Sequence, residues 1–121
     1  MRTAQILVSA LTAFSIQALA DCTAPTPPQN LPKGTTATKA EIIDGVKAMK
    51  QYDADVKAYS ACIDQDTQDR ITKLGPDPRA EWVSSIKLAA AKKNNAAVTD
   101  LESRAAKYND EIRAFKARNT E

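Results

Sequence analysis

From Thr38 to Leu74, and again from Arg79 onward, the chain contains no proline, and the break between those stretches is Gly75-Pro76-Asp77-Pro78. A glycine in such a place ends a helix by taking the left-handed conformation just past the last turn. Asp followed by Pro then offers an N-cap and a first helical residue to a second helix. The spacing predicts two long helices, about 38–74 and 78–118, joined by a turn so short that they must lie antiparallel. Each would be about 55 Å long at 1.5 Å per residue. The expected fold class is all-α, an antiparallel helical hairpin.

The first helix has a start signal and a buried face. Thr38 with Glu41 three places on is a capping-box pattern, and Ile42, Gly45, Val46, Met49, Tyr52, Val56, Tyr59 and Ile63 recur at threes and fours to form one apolar stripe. The second helix carries Trp82, Ile86, Ala90, Ala97, Leu101, Ala105, Tyr108, Ile112 and Phe115. Its middle, LAAAKKNNAAVTD, is rich in small residues, with Asn94 and Asn95 at the centre. Alanine is the best helix former and no Gly or Pro intervenes, so a continuous helix is expected there. Both seams mix heptad-like and four-four-three spacings, which argues against a long regular supercoil. Trp82, beside Val83 and Ile86 at the hairpin tip, is read as a core residue, with an exposed partner anchor as the other possibility.

The N-terminus has a different character. Arg2, the apolar stretch Ile6 to Ile16, and Ala18-Leu19-Ala20 with small residues at −3 and −1 make the three-part pattern of an export signal ending at residue 20. That stretch is too short to span a bilayer. The expected organisation is therefore a signal peptide at 1–20, a proline-rich extended arm at 21–37 and a helical hairpin domain at 38–121. Without Arg2, sixteen of the seventeen Lys and Arg remain against fifteen acidic residues, so the mature chain is close to neutral. No pull toward nucleic acid or anionic lipid is implied, and a periplasmic or secreted protein with no stable membrane insertion is expected.

Cys22 and Cys62 are the two cysteines. In an oxidising compartment an even pair is usually a disulfide, which makes an intramolecular Cys22–Cys62 bridge the leading reading. Free thiols, an intermolecular bridge and lipid attachment at Cys22 are the alternatives; Asp21, directly before the cysteine, fits lipoprotein processing badly. The segment after Cys22, TAPTPPQNLPKGTTAT, has prolines at 25, 27, 28 and 32 and no hydrophobic period, which favours an extended, polyproline-like path.

A bridge to Cys62 would turn this arm back along the first helix. The helix rises about 36 Å from Thr38 to Cys62, and sixteen residues of polyproline-like chain can span about 50 Å, so the bridge is reachable. Tyr52 and Tyr59 lean to the Cys62 side of the stripe. Counting from the bridge, Pro27 and Pro28 fall about 15–19 Å along the arm, at the level of Tyr52. Leu31 by the same count arrives at Gly45, where a missing side chain would let the arm sit close.

The run PPQNLPKGTTATKAEIIDGVKAMKQYDADVKAYSACI, behind an export signal and a cysteine, resembles a group of small uncharacterised proteobacterial exported proteins. In those an LP-x-G-x-x-A-T-x-x-E/Q segment precedes a helix with a Y-x-x-C sequence. The matching residues here are Leu31, Pro32, Gly34, Ala37, Thr38, Glu41, Val46, Tyr52, Tyr59 and Cys62. The resemblance covers about the first third of the mature chain. It implies an envelope location and a cysteine pair, and carries no established activity.

The residues offer little for catalysis. With no histidine, catalytic triads and histidine-ligated metal sites are excluded, and Gly34, Gly45 and Gly75 form no phosphate loop. Asp64-Gln65-Asp66-Thr67-Gln68-Asp69 opens like a calcium loop but lacks the glycine at the sixth place, and Gly75 stands where the bidentate glutamate belongs. A solvated helix face accounts for it better. The expectation is a non-catalytic module that binds a protein partner or self-associates, with no cofactor, metal or nucleic acid. A chaperone for unfolded chains using the Ala-rich seam and a membrane-tethered adaptor are the alternatives.

Overall fold

The computed structural model describes residues 21–120; the export signal expected at 1–20 lies outside them. Helix α1 spans Lys39–Lys73. Thr38 caps it in both directions, its N–H donating to the Glu41 carboxylate at 2.7 Å while the Glu41 N–H donates to the Thr38 hydroxyl at 3.3 Å. Two helix-end donors are satisfied reciprocally. The Thr38 N–H, and after it the Thr38 hydroxyl, hold the Glu41 carboxyl below its ordinary value. At the far end Gly75 has φ +95, and its N–H donates to the Thr72 carbonyl at 3.2 Å. Left-handed backbone at this place is the glycine stop read from the sequence.

Helix α2 spans Ala80–Arg118 without a break, so the Ala-rich centre neither kinks nor splits it. Its start departs from expectation. Pro78 is not the first helical residue and Asp77 is not the cap; Arg79 holds the N-cap place in extended backbone, with no side-chain capping bond. The Arg79 carbonyl accepts from the Trp82 and Val83 N–H groups at 3.0 and 3.3 Å, and its guanidinium lies 4.9 Å from the centre of the Trp82 ring. The helix thus starts beyond the Asp-Pro pair, with Arg79 stacked on Trp82 at its first turn.

The two helices pack along one seam, and the arm makes a third, partial layer. Ile42, Gly45, Met49, Tyr52, Val56, Tyr59 and Ile63 of α1 are buried, while Tyr108 is the one residue of α2 that is. Ala97, Val98, Leu101, Ala105 and Ile112 are partly buried against the cluster of Met49, Tyr52, Val56 and Tyr108, and Leu31 of the arm joins them. Val56 is the most enclosed side chain, and its burial contributes about 1.5–3 kcal/mol.

The core is thus concentrated at the end of the hairpin where the arm lies. Trp82 is not part of it: the residue is 49 % exposed. Neighbouring α1 has no buried residue beyond Ile63 to enclose it, and Arg79 covers one ring face instead.

Cys22 and Cys62 are joined, with their Cα atoms 5.8 Å apart, which settles the cysteine alternatives in favour of the intramolecular bridge. The Cys22 sulfur is occupied by that bond and is not free to carry a lipid.

Candidate functional site

The seam between α1 and α2 has two sides. Residues two apart on a helix point about 200° apart, so Tyr52 and Lys50 face opposite flanks of the seam. The arm covers the Tyr52 flank, and the Lys50 flank is open.

On the covered side the arm runs from the bridge toward Thr38 as the sequence implied, with different contacts along the way. Pro27 lines a gap of about 450 Å³ with Ala24, Pro25, Tyr52, Tyr59 and, from α2, Ala96, Ala97, Asp100 and Arg104. Pro27 thus shares that gap with both tyrosines, and Pro28 is half-buried next to it in the arm. Leu31 lies with Gly45 along the same shallow cleft, but it is not what the glycine makes room for. A Cβ at Gly45 would stand 2.0 Å from the Tyr108 hydroxyl, 2.5 Å from its Cζ and 3.0 Å from Pro32 Cδ. The bare backbone at Gly45 is the seat of Tyr108. That side chain, 3 % exposed, donates its hydroxyl to the Ile42 carbonyl at 2.8 Å. Burial, and secondarily the charge of Glu111, pushes its pKa up.

A second close approach had no signal in hydrophobic spacing. At Gly34 a Cβ would stand 1.8 Å from the Glu111 carbonyl oxygen and 2.7 Å from the Phe115 nitrogen, so the arm backbone lies directly on the α2 backbone. The Gly34 N–H donates to the Glu111 carboxylate at 2.7 Å. The turn that follows returns the Thr36 and Ala37 N–H groups to the Lys33 carbonyl, and Arg118 donates to the Ala37 carbonyl. The arm is held at both ends, by a covalent bond at Cys22 and by this backbone clasp at Gly34–Ala37.

Polar pairs fix the register of the seam. The Tyr52 hydroxyl donates to Asp100 at 2.7 Å, Arg104 donates to the same oxygen at 2.7 Å, and the Ser60 hydroxyl donates to the Asn94 amide oxygen. Asn94 is thus a cross-helix partner rather than a weak point. Burial and the Asp100 carboxylate push the Tyr52 phenol up to about 12, and the bonds from Arg104 and Tyr52 hold Asp100 below its ordinary value. These pairs could be missed because a tyrosine in an apolar stripe and a carboxylate on the next helix give no local pattern. Only the level at which the helices are set side by side brings them together.

The open side holds a groove of about 400 Å³. Its floor is Val46 and Met49 of α1 with Leu101, Ala105, Tyr108 and Ile112 of α2; Lys50 and Asp53 stand along one wall, Glu102 and Asn109 along the other. Ile43, 45 % exposed, continues the apolar surface on the α1 side. An apolar floor between polar walls can bury the face of another helix or an extended apolar segment.

The acidic stretch from Asp64 to Asp69 lies within α1, where Asp66 pairs with Arg70 at 2.8 Å and Asp69 accepts from Gln65 at 2.8 Å. Among the described residues no group of three or more His, Cys, Asp and Glu side chains is placed to hold a metal ion, and no helix is long and apolar enough to cross a membrane. No family model matches the chain, and comparison with curated proteins and with solved structures yields no match.

Proposed function

We propose that the protein is a non-catalytic interaction module of the cell envelope, a strapped helical hairpin that docks a protein helix or a second copy of itself. The observation that carries this reading is the open groove: the arm covers one flank of the seam, and the other keeps an apolar floor between charged walls. The disulfide supports an oxidising compartment, in keeping with the export signal read in residues 1–20 and the resemblance to exported proteobacterial proteins. Tyr52 is moved up and Asp100 down, both away from neutral pH, so this pair is read as a fixed hydrogen bond of the seam rather than a proton-transfer pair.

A photo-crosslinking side chain placed at Ala105, on the groove floor, tests the reading in cells. It should give a reproducible adduct that the same group at Asp110, on the solvent side of α2, does not. Equal labelling at both places would count against a groove that docks a protein.

Holding denatured chains is the alternative function, and it draws on Leu88, 73 % exposed, and the small residues around it. Suppression of client aggregation that survives a charge placed in the groove but is lost on Leu88→Asp would favour it.

A further inference from the structure

The groove is a match for its own copy. Lys50 on the α1 wall and Glu102 on the α2 wall are both exposed, and neither takes part in any of the ion pairs among the described residues. Asp53, by contrast, is engaged by Lys57 at 2.6 Å. The seam register, which sets Tyr52 beside Asp100 and Ser60 beside Asn94, puts Lys50 and Glu102 at one level on the two walls.

We propose that two copies of the chain pair groove to groove about a two-fold axis parallel to the helices, forming a four-helix bundle; this rests on the interaction-module reading and names its partner. Rotation about such an axis keeps every residue at its own level and lays α1 of one copy on α2 of the other. Lys50 then meets Glu102 of the second copy, and the symmetry makes that contact twice. Every neighbouring pair of helices in the bundle is antiparallel, and Val46, Leu101, Ala105 and Ile112, half-exposed in one copy, become its centre. A two-fold axis across the helices would instead lay α1 on α1, and at the level of Lys50 it would set Lys50 against Lys50 rather than against Glu102. Association is to be sought over a wide range of chain concentration, since the area two such faces bury does not by itself set the affinity.

Sedimentation of the full mature chain across that range tests the proposal, using exposed wall residues whose replacement leaves the fold intact by circular dichroism. The native chain should shift from monomer to dimer with concentration. K50E and E102K should each weaken the dimer by about tenfold, because two repulsive contacts replace two attractive ones. An equimolar mixture of the K50E chain and the E102K chain should associate again, since each supplies the charge the other lacks, and the K50E/E102K double variant should recover by itself. A native chain that stays monomeric throughout, or a dimer indifferent to these charges, overturns the proposal. In either case the Ala105 crosslink separates the two readings: an adduct of foreign mass keeps the interaction module and removes self-pairing, and no adduct removes both.

Discussion

At the scale of single residues, two glycines and one tyrosine set how closely the parts can approach. Gly45→Ala adds helix propensity but drives a methyl into the Tyr108 phenol, which must then leave its bond to the Ile42 carbonyl. The net cost should be about 1–3 kcal/mol in urea denaturation, and only partly reduced when Tyr108→Phe is already present, because the hydroxyl is gone but the ring carbon Cζ stays 2.5 Å from the added methyl. Gly34→Ala should cost more than Gly45→Ala, since the obstacle is the α2 backbone and no rotamer change relieves it. Tyr52 makes the alkaline limb of stability diagnostic. Its folded pKa is raised from 10.0 to about 12, so its contribution is complete below pH 10 and is lost as pH rises toward 12. Asp100 acts in the opposite sense: with its folded pKa lowered from 3.8, its contribution is present above that value and is lost as pH falls through the depressed one. Denaturation of native protein and Tyr52→Phe compared between pH 9 and 12 should show a shallower alkaline decline in the variant. Parallel curves would remove Tyr52 from the account.

At the scale of elements, the arm has two fastenings of different kinds. The bridge joins cysteines 40 residues apart, and closing a loop of that length stabilises the fold by about 4 kcal/mol in the chain-entropy model. The Cys22→Ser/Cys62→Ser variant should lose stability of that order in a chemical melt. Hydrogen exchange in the variant should show the Gly34 amide still protected by Glu111 while the cysteine end of the arm comes loose. Loss of protection at Gly34 as well would mean that the clasp depends on the bridge. The elements were legible where the cause is local: the Thr38–Glu41 box and the Gly75 stop each act within one turn of helix, and the α1 stripe repeats at a spacing of three and four residues. Where α2 starts was not legible, because an Asp-Pro pair signals that a helix can begin nearby and does not fix the residue at which it does. The count along the arm placed Leu31 at the level of Gly45, where it lies with Pro32 close to the glycine, but it gave no sign of Tyr108, which arrives there from the other helix. The clasp at Gly34 was invisible for a related reason. Its partner, Glu111, is 77 residues away in the chain.

Across the whole molecule, burial is graded. Buried residues of α1 run from Ile42 to Ile63, and α2 has only Tyr108, so the Gly75 end of the hairpin is two helices with no enclosed side chain between them. Exchange protection should fall steadily from Tyr108 toward the turn, and the exposed Trp82 should report loosening of the tip at lower urea than the loss of helix seen by circular dichroism. Coincident transitions would mean that the rod melts as one unit. The bridge also decides how the chain would respond to being pulled. Tension applied between Asp21 and Asn119 passes from Cys22 directly across the sulfur bond to Cys62, so the arm and the α1 residues from Lys39 to Cys62 form a loop that the force bypasses. The stretching acts on the chain from Cys62 onward, which holds Ile63, the turn and all of α2, while the α1 residues that carry most of the buried side chains are slack that cannot be drawn out as long as the sulfurs stay joined.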